Sequence, residues 1–147
     1  MRKVETVVAM QIDPKLFIDA FLVPEMLGSW WGVQQSLIEP KVGGPYSLVW
    51  KIGKEGFGYV TSGIVTSYQP DRLLEIKNLV YYNPERPFLG PMSLRIGAQR
   101  LPDYTECYLC QAGYQEGADW DWYYDAVRVA WPEIMLKLKD YLEEMSI

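Results

Sequence analysis

The chain has 147 residues, 49% of them hydrophobic and 14% aromatic, enough to bury a real core in one domain (1–147), and this excludes a disordered chain. A net charge of −5 argues against a nucleic-acid binder, which needs a basic face, and the absence of histidine removes the commonest general base and metal ligand. The opening MRKVETVVAMQID alternates and carries charges, and no apolar run reaches bilayer length. The expectation is therefore a cytoplasmic protein with no secretory segment and no membrane span.

In chain order, Val4, Thr6, Val8, Met10 and Ile12 share one face of a half-buried strand, with Lys3, Glu5 and Gln11 on the other. DPKLFIDAFL follows as a short helix, with Asp13 as N-cap and Pro14 at the first helical position. A second short helix enters at VPEML and ends at Gly28 or Gly32, with Trp30 and Trp31 at that end. Neighbours on a helix diverge by about 100°, so the two rings are expected in different environments. One should close an end of the domain interior beneath the long C-terminal helix, and the other should pack at the helix–sheet junction or rim.

From about Val33 to Tyr114 the signals are strand and turn. Tyr46, Leu48 and Trp50 alternate with Ser47, Val49 and Lys51, and GKEG reads as a hairpin turn before FGYVTSGIVTSY. After the QPDR turn, Leu74, Ile76, Asn78 and Val80 alternate with Glu75, Lys77 and Leu79. YYNPERPFLGP is a long connection, and Met92, Leu94, Ile96 and Ala98 then alternate with Ser93, Arg95 and Gln99. YTECYLCQAGY supplies a last strand carrying Leu109 and Gln111.

The final segment changes period. Trp120, Tyr124, Val127, Trp131, Ile134, Leu138 and Tyr141 follow helical spacing, and Pro132 inside the run should kink the helix or remove one hydrogen bond. The expected fold is α+β: a strand, two short helices, about six antiparallel strands and one long C-terminal helix across a strongly curved sheet.

Several groups invite chemistry. Cys107 and Cys110 in CYLC lie three apart on a strand and so face opposite sides, which argues against a disulfide or a shared metal. Asp119, Asp121 and Asp125 with Glu116 read as charges at a helix start, because their spacing fits no calcium loop. GKEGFG and VGGP lack the context of a phosphate-binding loop. Asn78 and Gln111 fall on apolar strand faces, and Arg128 lies one helical turn from Tyr124 and Trp131. Either the three satisfy one another or reach solvent, or they orient a ligand, with Arg128 meeting an anionic head. Tyr46, Trp50, Tyr124 and Trp131 point inward by periodicity. No inward carboxylate stands out, so no catalytic residue, cofactor or metal is expected.

The order of elements, with PEMLGSWWG at 24–32, KVGGPYSLVW at 41–50, the G-x-V-x-S-Y-x-P-D-R-L pattern from Gly63 to Leu73, WYYDAVRVAW at 122–131 and the following LKLKDYL, resembles the START-like (SRPBCC) superfamily. Its nearest branch is the activator-of-heat-shock-protein-90-ATPase-like group. The resemblance implies a helix-grip fold, a curved antiparallel sheet of about seven strands wrapped around the long helix. It also implies a cavity for a small apolar or amphipathic ligand. The lining expected is Trp30, Trp31, Tyr46, Leu48, Trp50, Ile76, Asn78, Leu94, Leu109, Gln111, Tyr124, Val127, Arg128 and Trp131. Two positions depart from the family pattern: Gln111 replaces a frequent histidine, and Ala130 replaces the usual glycine. No role resting on that histidine transfers. The leading expectation is a binding protein without covalent chemistry. The alternatives are a cyclase, dehydratase or hydrolase working through tyrosines, carboxylates or Arg128, and a chaperone-interaction module suggested by the family name. A homodimer is compatible with such domains.

Overall fold

A computed structural model describes residues 2–54 and 56–146. The chain opens with β1 (Lys3–Met10), followed by the short helices α1 (Pro14–Asp19) and α2 (Pro24–Trp31). Six strands come next: β2 (Gln35–Ile38), β3 (Pro45–Trp50), β4 (Tyr59–Gln69), β5 (Leu73–Tyr82), β6 (Leu89–Arg100) and β7 (Thr105–Ala112). The long helix α3 (Ala118–Met145) ends the described chain and runs through Pro132 without interruption. The strands form one antiparallel, curved sheet in the order β1-β7-β6-β5-β4-β3-β2. Its inward face, α1, α2 and α3 enclose the core.

Local signals explain the short helices. The Asp13 carboxylate accepts from the Lys15 N–H at 3.1 Å, and Pro14 occupies the first turn where a missing N–H is harmless. Gly32, at φ 72°, ends α2 in the left-handed conformation that glycine adopts freely. The GKEG turn closes through paired Gly53 and Gly56 backbone bonds of 2.9 and 3.1 Å, with Glu55 outside the described residues.

Strict alternation holds on β7, where Thr105, Cys107, Leu109 and Gln111 are all buried, and on β6, where Met92, Leu94, Ile96 and Ala98 are. It fails on β5. Ile76 pairs with Leu94 and Leu79 with Met92, so three steps on β5 oppose two on β6, which is a β-bulge. Both Lys77 and Asn78 face solvent, and Asn78 sits at φ 53°. The expected inward position of Asn78 is therefore corrected: the bulge shifts the phase by one residue and brings Leu79 and Tyr81 inward instead of Asn78 and Val80. Gly63 on β4 lets the strands close over this bulge, because a Cβ there would lie 2.7 Å from the Ile76 side chain.

This geometry carries a prediction. Asparagine tolerates the left-handed region better than a branched residue, so Asn78→Val should cost about 1–2 kcal/mol while Asn78→Gly stays near neutral. Urea denaturation of both variants checks it, and equal stability of the two would refute the bulge.

The two cysteines behave as their spacing requires. Cys107 is buried, Cys110 is half-buried, and both are free thiols. Burial pushes the Cys107 thiol up to about 12, so it stays protonated and unreactive. Charges at the start of α3 are tied outward: Arg2 pairs with Asp121 at 2.8 Å and Arg86 with Asp119 at 3.2 Å. Among the described residues no cluster of three or more acidic or cysteine side chains could hold a metal. Among them also, no helix is long and apolar enough to cross a membrane.

Candidate functional site

Between the sheet and α3 lies a cavity of about 750 Å³. The inward faces of β3 to β7 form one side, and the end of α2 with residues 122–134 of α3 forms the other. Eight of the expected lining residues stand there: Trp31, Tyr46, Leu48, Trp50, Leu94, Gln111, Val127 and Trp131.

The paired tryptophans divide the work. Trp30 is 1% exposed and its indole N–H donates to the Ala20 carbonyl at 2.8 Å, which places it in the core behind the cavity. Trp31 forms the wall. Its ring meets Trp50 edge-on at 5.1 Å and Trp131 at 5.5 Å, and its carbonyl accepts from the Trp50 indole at 3.1 Å. The two rings nevertheless stack, with centroids 4.9 Å apart and planes 12° apart. Their Cβ directions diverge as a helix demands, but long side chains fold back into one aromatic layer.

Gln111 forms the polar centre. Its Oε1 accepts from the Trp131 indole at 2.8 Å, and its Nε2 donates to the Tyr123 hydroxyl at 3.0 Å. One amide thus ties β7 to two residues of α3 about two turns apart and satisfies itself inside an aromatic site. The Tyr123 oxygen is an acceptor in this arrangement, and its own proton has no acceptor among the described residues. That O–H is available to a ligand. Burial pushes the Tyr123 phenol well above the ordinary tyrosine range, with the Gln111 bond pulling weakly the other way, so it stays neutral. Tyr46 also lines the cavity, but its hydroxyl donates to the Phe21 carbonyl at 2.6 Å.

Burial also raises the Tyr46 and Tyr114 phenols far above their ordinary value of 10.0. The folded protein therefore holds protons that the unfolded chain releases above that value, and stability falls as pH rises. We expect the urea midpoint to fall between about pH 8 and about pH 10.5, and the fall to be smaller in Tyr46→Phe. An unchanged midpoint would show that these phenols ionise freely in the fold.

The other expected residues are not on the cavity wall. Ile76 and Leu109 are fully buried core behind it. Tyr124 is half-buried and points away, packing edge-on against Tyr114 at 5.1 Å with the Arg2 guanidinium 4.8 Å over its ring. Arg128 is corrected most plainly. Its side chain is 57% exposed and pairs with Asp125 at 3.8 Å, outside the cavity, where the guanidinium keeps its hydration. Asn78 faces solvent at the bulge.

Sequence reasoning missed Tyr59, Leu79, Tyr81 and Tyr123, all on the cavity wall. Tyr81 stacks on Tyr123 at 4.7 Å and on Tyr59 at 6.4 Å, making a ladder of phenol rings along one wall. The signal for Tyr81 was the bulge. For Tyr123 it was the register of α3, where the aromatics at 120, 122, 123 and 124 fit two helical phases equally well.

A curved antiparallel sheet gripping one long helix over an aromatic cavity defines a helix-grip, START-like domain. Residues 14–143 match the family model described as Activator of Hsp90 ATPase homolog 1-like protein, and the chain belongs to that family. Among solved structures it is similar to a protein from Mesorhizobium loti, with 19% identity, a TM-score of 0.76, and 97% of this chain and 98% of that one covered. It is also similar to the Aha1 dimer from Colwellia psychrerythraea, with 15% identity, a TM-score of 0.72 and 97% of each chain covered. A third is DynU16, a protein in the dynemicin biosynthetic locus, with 14% identity, a TM-score of 0.70, and 96% of this chain and 47% of that one covered. No curated protein matches the chain in sequence.

Proposed function

We propose that this chain binds a small apolar or aromatic molecule in the cavity between the sheet and α3 and does no covalent chemistry on it. The observation that carries the reading is the cavity itself. A volume of about 750 Å³, walled by Trp31, Trp50, Trp131, Tyr81 and Tyr123, has the size and chemistry of small-molecule sites. Rings bury large ligand area and stack on planar molecules. An unused donor deep in the cavity, the Tyr123 O–H, would fix orientation by meeting a carbonyl or hydroxyl oxygen of the ligand.

The lining speaks against acid–base work. No carboxylate stands among the described lining residues, and the buried phenols Tyr46 and Tyr123 are held neutral. Two free cysteine thiols accord with a cytoplasmic location.

Native mass spectrometry of the purified protein tests the reading. The expected result is a non-covalent adduct, or uptake of polycyclic aromatic probes, that is lost in Ala130→Phe, whose ring would fill the cavity. A wild-type protein that retains nothing and takes up no such probe would sink it. A ligand recovered chemically altered would point to an enzyme instead.

The family description also raises contact with a chaperone, and the similar Aha1 dimer from Colwellia psychrerythraea raises contact with a second copy. Trp122, Val129 and Leu136 recur every seven residues on α3 and are 37%, 57% and 56% exposed, which is the apolar surface such a contact would use. Sedimentation of the protein alone and with purified Hsp90, repeated with Val129→Glu, separates this reading from ligand binding.

A further inference from the structure

The following inference rests on the small-molecule reading above and specifies the ligand's class. Lys51 is the one charged side chain among the described residues that line the cavity. It lies just past the end of β3, at the cavity's exposed edge, and its backbone is left-handed at φ 56°. A lysine gains nothing locally from that conformation, which is strained for a residue with a Cβ. The space for it comes from Gly58, where a Cβ would lie 2.6 Å from the Lys51 Cβ and 2.8 Å from the Lys51 carbonyl oxygen.

The result of this pose is a cation set over the first rung of the phenol ladder. The Lys51 ammonium sits 5.1 Å from the centre of the Tyr59 ring. From there the rings run inward, Tyr59 to Tyr81 to Tyr123, and end at the free Tyr123 O–H beside Gln111. No carboxylate among the described residues lies within ion-pair distance of Lys51. The cavity therefore offers flat apolar wall through its length, a neutral donor in its depth and a positive charge at its mouth.

We infer that the ligand is an anionic amphiphile: a planar apolar body lying along the phenol wall, with a carboxylate or sulfonate at the mouth held by Lys51. A neutral body alone would leave the ammonium unused, and an anion placed deeper would meet no cation. The anionic head that the sequence assigns to Arg128 is received by Lys51 instead, because Arg128 lies outside.

A matched pair of fluorescent probes tests this. N-phenyl-1-naphthylamine is neutral, and 1-anilinonaphthalene-8-sulfonate has the same ring system with one sulfonate. Both should bind wild-type protein, and neither should bind Ala130→Phe. Lys51→Met should weaken the sulfonate about threefold to tenfold while leaving the neutral probe within about twofold, and Lys51→Arg should restore it. The sulfonate's advantage should shrink as salt rises. If the neutral probe binds in the cavity and Lys51→Met leaves the sulfonate unchanged, or weakens both probes alike, the role of Lys51 is overturned while the binding reading stands. If neither probe enters the cavity, the binding reading falls and this inference falls with it.

Discussion

Gln111→Leu should destabilise the protein by about 2–3 kcal/mol, a large share of the roughly 5–15 kcal/mol typical of a domain. Leucine fills much of the same volume, so the loss is polar. The Trp131 indole N–H loses its acceptor in a buried site, and the Tyr123 hydroxyl loses its donor. An orphaned buried donor costs more than the bond it made, because it has given up water without compensation. Gln111→His is the informative partner. A neutral imidazole can accept from Trp131 with one nitrogen and donate to Tyr123 with the other, so most of the stability should return near pH 8. An imidazolium cannot accept, and burial disfavours it, so the folded-state pKa of the new histidine falls below its unfolded value. Below about pH 6.5 the unfolded chain then takes up protons that the folded one refuses, and stability declines with acid. Urea midpoints of the three proteins at about pH 8 and about pH 5.5 check this. A Gln111→Leu protein as stable as wild type would mean that water replaces the amide without loss.

How far the sequence discloses this site depends on how many readings each local pattern allows. On β7, and on β6 from Met92 onward, alternation runs unbroken, and on β3 Tyr46, Leu48 and Trp50 keep one face although Val49 is buried too, so these residues with Leu94 and Gln111 reach the cavity as their spacing requires. Asp13 with Pro14, and Gly32, mark helix ends because few residues suit those conformations. On β5 the same rule fails at one step. A bulge adds a residue without changing composition, and every later side chain changes face. Its trace is Asn78, a residue that accepts positive φ, directly after the solvent-facing Lys77. On α3 the ambiguity is one of phase. Tyr123 and Tyr124 both sit in apolar stripes, and only the Gln111 amide opposite, which donates to the Tyr123 hydroxyl, selects Tyr123. Arg128 illustrates the opposite error, since proximity to Trp131 along a helix does not place a charge inside. The hydration of a guanidinium outweighs the apolar neighbours on either side, and the side chain turns to Asp125. The phenol ladder is a product of all three effects and is visible only once the sheet is closed.

The adjacent tryptophans should separate stability from binding. Trp30→Ala removes a ring that is 1% exposed and packs edge-on against Phe21 at 5.4 Å, and it leaves the Ala20 carbonyl without its donor. Large aromatic truncations in cores cost about 3–5 kcal/mol, so this variant should be close to unfolding at room temperature. Trp31→Ala removes a half-buried ring from the wall of a space that is already open. No sealed void forms, water can enter, and the loss should be about 2 kcal/mol or less. Its effect should appear in ligand affinity, since Trp31 joins Trp50 and Trp131 into one wall. Loss of that stacking surface should weaken N-phenyl-1-naphthylamine about tenfold. The two rings touch, with centroids 4.9 Å apart, so the double variant should not be additive. Urea denaturation and probe titration on the same preparations give both quantities. Equal destabilisation by the two substitutions, with probe affinity unchanged in Trp31→Ala, would place both rings in the core and leave the cavity without the wall on which the proposed ligand binding depends.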